Sequence, residues 1–303
     1  MDVRDHHRRA VDHLSELVRA TPPAAWRQPT PCDDWNVRDL VNHVVGENLW
    51  APPLLAGKTI VDVGDRFDGD LVGDDPVGAW DRSVPETLDA AASTDLDATV
   101  QLSFGDFPAA EYLWQLTTDA VVHGWDLARA TGQDETIDPD LAAACLAWFG
   151  PNEDAYRGAG AIGPAVAVAE GADPATELVA RFGRDPSPDA PLAVVVRFND
   201  AFGRQDLAAI SGLITDDCVF EDTSPPDGGR HEGRSTVEAA FASFFDGSPP
   251  DAFRTEDGFV AGGRVAIAWR YQWGDGEAEH IRGVDLFDIR DGRVAAKFAY
   301  VKG

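Results

Sequence analysis

Basic residues are scarce in this sequence. Lys and Arg total 25 against 53 Asp and Glu, lysine is nearly absent, and the formal charge is −28. An excess of that size repels phosphate backbones and anionic bilayers, which excludes nucleic acids and membrane surfaces as partners and leaves small molecules. The Arg-, Asp- and Ala-rich balance fits a GC-rich genome or a salt-adapted cytoplasm, and the acidity reads as a solvated surface. Cysteine is also sparse. Cys32, Cys145 and Cys218 are three, widely separated and without CxxC spacing, so neither a disulfide framework nor a zinc-thiolate knuckle is indicated and the thiols read as buried or idle. No apolar run approaches the roughly 20 residues of a membrane span, and the opening MDVRDHHRRA is polar where a secretory signal needs an apolar stretch. A cytoplasmic protein is expected.

What the sequence does have is length and apolar content. At 303 residues with 44% hydrophobic side chains it suits two well-buried cores. Val11, Leu14, Leu17 and Val18 recur at helical spacing and stop before Pro22-Pro23. A second helix opens at Asn36, with Asp39 three residues on, and runs toward Pro52. Residues 57–75, rich in Gly and Asp, read as a long loop; a third helix follows Pro76, and a fourth runs from Pro108 to Gly132. Four long helices predict a bundle. Proline and charge then concentrate in RDPSPDAP (184–191). The domains are therefore placed at 1–184 and 191–303, with 185–190 as linker. The second domain starts with helices at 192–202 and 207–214 and a short strand at 218–222. Another helix follows at 236–245, and then strands with hairpin turns at Gly262-Gly263 and Asp291-Gly292. That order predicts an α+β domain.

In the fourth helix Asp119 and His123 are four residues apart and share a face, as do His43 and Glu47 in the second. An imidazole and a carboxylate at that spacing, with His43 from a facing helix, suit a divalent metal with an open position. The spacing alone fits a surface hydrogen bond and a core histidine as well. The stretches PTPCDDWNVRDLVNHVVGE (29–47) and TTDAVVHGWDLARATGQ (117–133) add more. Together they resemble the N-terminal domain of mycothiol-dependent maleylpyruvate isomerases and their metal-binding relatives in the DinB-like superfamily, over roughly residues 5–182. The resemblance implies an all-α four-helix bundle whose metal ligands fall on His43, Asp119 and His123. The second ligand, often Glu in the isomerases, is here the shorter Asp. It implies zinc as the metal and a low-molecular-weight thiol such as mycothiol as cofactor. Asp126 and Arg129, one turn on, are candidates for binding or orienting that cofactor, or for a helix-surface ion pair.

VVVRFNDAFGRQDLAAISGLITDDCVFED, HEGRSTVEAAFASFF and RGVDLFDIRDGRVAAKFAYVKG resemble SnoaL-like proteins of the nuclear transport factor 2 superfamily, over about 191–303. The resemblance implies a cone-shaped α+β barrel, with Asp222 in FEDTSPP at the general-base position of ketosteroid isomerases and Asp285 in GVDLF at the oxyanion-binding one. The helix-borne Tyr of that pattern corresponds to Phe198, which leaves the oxyanion site incomplete. Alternatively, Asp222 closes a turn before Pro225 and Asp285 pairs with Arg282 or Lys297. Arg270, His280 and Arg282 are further candidates to face the cavity, and Trp269, Trp273 and Phe287 read as wall and core.

The leading expectation is a metal-dependent enzyme acting on a small organic molecule by thiol transfer or isomerisation in the bundle, with the cone forming a second pocket. One alternative puts cyclase, isomerase or hydrolase chemistry at Asp222 and Asp285, with a structural metal. Another is a non-enzymatic ligand-binding protein. By analogy with the cone family, a homodimer through the C-terminal sheet is expected.

Overall fold

The computed structural model describes residues 2–32, 34–224, 228–273 and 280–302, and its chain divides into two compact units. The first gathers residues 1–21, 38–128 and 134–186. The second gathers 187–303 together with 22–37 and 129–133.

The first unit is helical. Helix α1 (Val3–Ala20) is capped by Asp2, whose carboxylate accepts from the Arg4 N–H, and it buries Leu14 and Val18 completely. Helices α2 (Val37–Leu55), α4 (Pro76–Ser93) and α5 (Ala109–Thr131) are the other long elements. Ser15 on α1 accepts from the Trp80 indole N–H of α4 at 2.9 Å, and Arg19 pairs with Asp81 at 2.7 Å. Shorter helices α6 (Pro139–Phe149), α7 (Glu153–Gly158) and α8 (Pro174–Arg181) follow.

Three features depart from the sequence reading. Helix α2 does not stop at Pro52 but carries Pro52 and Pro53 inside its last turn. Burial of Ala51 and Leu54, 0% and 2% exposed, holds the turn despite two missing N–H donors. The segment read as loop contains α3 (Ile60–Val63), nucleated by a reciprocal Thr59–Asp62 capping box. Before α5 the chain forms a hairpin not read from the sequence, β1 (Thr99–Leu102) with β2 (Gly105–Pro108), which buries Val100 and Leu102.

In the second unit α9 (Pro191–Gly203), α10 (Leu207–Leu213) and α11 (Arg234–Phe245) cover one face of a six-stranded sheet. The strands are β3 (Ile214–Asp222), β4 (Gly229–Glu232), β5 (Phe253–Ala261), β6 (Arg264–Gln272), β7 (His280–Arg290) and β8 (Arg293–Lys302). Their order is β4-β3-β8-β7-β6-β5, antiparallel except for the parallel β3–β8 pair. The β7–β8 hairpin turns on Asp291 and Gly292, with φ of 52° and 67°, the left-handed pair that a two-residue type I′ turn requires. Phe198, Phe241 and Phe287 meet edge to face in the core, with ring centroids 5.6–6.0 Å apart for the two Phe198 pairs. Residues 22–37 bring Pro29 against β5, where a Cβ on Gly258 would stand 3.1 Å from the proline Cδ.

Candidate functional site

Helices α2 and α5 of the first unit bring three of the expected residues together. His43 Nε2 lies 3.2 Å from Asp119 Oδ2, and His123 Nε2 lies 3.3 Å from Asp119 Oδ1. The two imidazoles meet edge to face at 5.0 Å between centroids, and one donor atom from each of the three residues falls within 4.8 Å of the others. The i, i+4 spacing on α5 places Asp119 and His123 one above the other. Asp119 keeps about a third of its side chain exposed while His123 is buried.

Charge in the cluster is strongly perturbed. Loss of hydration would raise the Asp119 carboxyl, but the imidazoles of His123 and His43 outweigh it and hold it well below the ordinary carboxylate range. Desolvation would lower His43, and the Asp119 charge overturns this and raises it. Glu47, one turn on from His43, is pushed up to about 7 by desolvation and by the Asp119 carboxylate, against the pull of the imidazoles.

Asp126 stands behind His123. Its Oδ2 is 3.0 Å from His123 Nδ1 and 2.8 Å from Arg184 Nη2, and its side chain is 0% exposed. The Arg184 guanidinium, followed by the His123 hydrogen bond, overcomes burial and holds the Asp126 carboxyl at about 2. An ionised carboxylate only accepts, so His123 donates from Nδ1 to Asp126, and this bond turns its Nε2 toward the cluster. Asp126 and Arg129 do not lie on the helix surface: both are buried, Arg129 at 4% exposure with its Nη1 donating to Ser187 O at 2.8 Å. Arg184 was missed by sequence reasoning. It lies 58 residues from Asp126, at the start of a run that reads as linker, and nothing local marks it.

In the second unit Asp222 and Asp285 both line a cavity of about 920 Å³ walled by Phe202, Phe244, Phe253, Trp269 and Tyr271. Across the sheet Asp222 pairs in register with Ala299, and Ala299 with Asp285, so both carboxylates project from one row of the same face. Their environments differ. Asp285 is buried and bound to Lys297 Nζ at 2.7 Å, whose ammonium also lies 5.4 Å from the Phe220 ring centre and 5.6 Å from that of Phe287. Asp222 is half-buried and accepts from the Ser224 N–H at 2.9 Å, a turn-closing bond; Pro225 lies outside the described residues.

Several expected cavity residues lie elsewhere. Arg282 pairs with Glu256 at 2.6 Å on the exposed side, and Arg270 meets His280 at 3.2 Å. Strand parity sets these apart from Asp285: Arg282 is three residues away and faces oppositely. Trp273, expected as wall, is 51% exposed, whereas Trp269 lines the cavity and Phe287 is core. Phe198 is fully buried.

The chain is 33% identical over 168 residues to an uncharacterized protein of Mycobacterium tuberculosis, found in two strains, covering 53% of this chain and 85% of the relative. Among solved structures it is similar to an NTF2-like protein of unknown function from Mesorhizobium loti. That match has 40% identity and a TM-score of 0.33, covering 39% of this chain and 95% of that one. An NTF2-like protein of unknown function from Burkholderia xenovorans matches at 17% identity and a TM-score of 0.30, covering 36% and 80%. Residues 7–128 match the mycothiol maleylpyruvate isomerase N-terminal domain and residues 195–297 match the SnoaL-like domain. The chain thus belongs, through these two parts, to the mycothiol maleylpyruvate isomerase N-terminal domain family and the SnoaL-like domain family.

Proposed function

We propose that this protein is an isomerase-type enzyme that holds one divalent ion, zinc by its donor set, on His43, Asp119 and His123, and acts on a small organic molecule with a low-molecular-weight thiol such as mycothiol. The observation that carries this reading is the donor spacing. Tetrahedral bonds of about 2.0–2.1 Å put neighbouring donors about 3.3–3.4 Å apart. From the single oxygen Asp119 Oδ1 the separations are 3.4 Å to His43 Nε2 and 3.3 Å to His123 Nε2, whereas a charge-assisted hydrogen bond contracts to about 2.7–2.9 Å.

A bound ion would supply a Lewis acid and a position where water or a thiol is acidified toward neutrality. The chain's own residues do the rest. Asp126, fixed by Arg184, orients His123. Glu47, one helical turn from His43, is the neighbouring carboxyl that could carry a proton.

Chemistry by Asp222 and Asp285 in the cone is the second reading, supported by their shared row. It is weakened by the Asp285–Lys297 ion pair and by Phe198 where a hydroxyl would be needed. Elemental analysis of full-length protein purified without chelator tests the first reading. About one divalent ion per chain is expected, lost in His43→Ala and His123→Ala. Absence of stoichiometric metal, with no uptake on reconstitution, refutes it.

A further inference from the structure

The charges inside the cone cavity do not balance. Asp200, Asp222, Asp251 and Asp285 line it, together with one lysine, Lys297, and one histidine, His231, whose ring stacks on Phe220 at 5.8 Å. Lys297 neutralises Asp285 at 2.7 Å, and Arg204 neutralises Asp200 at 2.9 Å. Neither Asp222 nor Asp251 has a cation within ion-pair reach among the described residues. The residues of this half outside that set, Pro225-Pro226-Asp227, GDGEAE (274–279) and Gly303, contain no Lys, Arg or His. A second and independent feature points the same way. Asp285 is only 8% exposed, and its Oδ1 has no hydrogen-bond partner among the described residues. A buried carboxylate oxygen left unpaired is costly, and a ligand-borne N–H donor would satisfy it.

Around these acceptors the walls are aromatic. Phe253 stands 5.0 Å from Tyr271 and 5.1 Å from Trp269, and Phe202 lies 5.8 Å from Phe253. Aromatic faces attract cations, more strongly where water is excluded. Asp222 and Asp285 flank Ala299 on one row, so two acceptors face the same part of the cavity. The excess of about one negative charge at that row disfavours an anion and leaves a neutral ligand without a counter-charge to offer.

We propose that the cone cavity binds an organic cation, an apolar body carrying a single ammonium group, with the ammonium against Asp222 and within reach of Asp285 Oδ1. This goes beyond the metal reading of the first unit and does not depend on it.

Isothermal titration calorimetry on the full chain tests the proposal with three probes of one shape: 2-naphthylmethylammonium, 2-naphthylmethanol and 2-naphthoate. The cation is expected to bind at least tenfold more tightly than the alcohol, and the naphthoate most weakly. Because a charge of −28 draws any cation, the decisive quantity is the cation-to-alcohol ratio in variants. Asp222→Asn should bring the ratio to within threefold of unity while the alcohol's affinity stays unchanged. Asp68→Asn, the same charge change on an exposed loop of the first unit, should leave the ratio as in the parent. Asp251→Asn, a milder substitution at an exposed position, should lower it about threefold and serves if Asp222→Asn folds poorly. An alcohol that binds as tightly as the cation, a ratio that survives both cavity variants, or no binding of any probe at millimolar concentration each overturns the proposal.

Discussion

Lowering the pH from 7 to 5 should destabilise the first unit through a residue remote from any chemistry, His7 on α1. Its ring is 2% exposed, and neither Nδ1 nor Nε2 has a hydrogen-bond partner among the described residues. Burial therefore lowers its pKa from 6.5 to about 4. The sign follows from proton counting. Between those values the unfolded chain binds a proton that the folded chain refuses, so stability is full above pH 6.5, falls as pH drops, and is constant again below about 4. The whole loss is about 3 kcal/mol, and about 2 kcal/mol of it has gone by pH 5. Urea denaturation at several pH values between 7.5 and 5 measures this, above the sequence pI of about 4.3 where precipitation intervenes. His7→Leu keeps similar volume and sacrifices no hydrogen bond, so at pH 7 it should cost less than about 1.5 kcal/mol. At pH 5 it should be the more stable protein. Contributions common to both proteins cancel in the comparison. Parallel decline of parent and variant, or an NMR titration of His7 near 6.5, would refute the reasoning.

Three other outcomes are expected. In an assay found by screening thiol-dependent and thiol-independent reactions, His123→Ala should abolish turnover, beyond the roughly 10²–10⁴-fold assigned to one general acid or base. Asp222→Ala should only reduce it, and the reverse pattern would move the chemistry to the cone. Asp126→Asn and Arg184→Ala should weaken metal binding about 10–100-fold in competition with a chromophoric chelator; unchanged affinity in folded variants would show that the chain behind His123 does not matter. We propose 1–184 and 191–303 as separable domains, so limited proteolysis within 185–190 should yield two folded fragments. The C-terminal one should melt earlier than in the intact chain, because it lacks residues 22–37 and 129–133 of its compact unit. Degradation without stable fragments would count against it.

Much of the site was legible because it rests on local periodicity. The i, i+4 pair Asp119–His123 and the run from Val37 to Glu47 can be read one helical turn at a time. The partners that tune the site could not be read this way. Arg184 reaches Asp126 from 58 positions away, and the choice of Lys297 over Arg282 as the partner of Asp285 depends on the register of β7 against β8, which one residue of slip would invert. His6 and His7 in the polar opening MDVRDHHRRA are not singled out by the sequence reading, and they are buried because the face shared with Val3, Ala10 and Val11 turns inward. Loop grammar failed at Thr59–Asp62, where a capping box stabilises a helix of four residues inside a Gly- and Asp-rich stretch.

The strand order of the second unit bears on how this chain is made. Strand β8 follows every other strand in sequence, yet it sits between β3 and β7 near the middle of the sheet. During translation, β7, β6 and β5 can zip as successive hairpins and β3 can pair with β4, but the two pieces have no shared ladder until β8 arrives. Until then β3 and β7 each present an unpaired edge, the kind of surface on which nascent chains cross-associate. A premature stop before Arg293 would leave that condition permanent and would strip Asp285 of its lysine, so nonsense or frameshift changes very late in the gene should be as damaging as early ones.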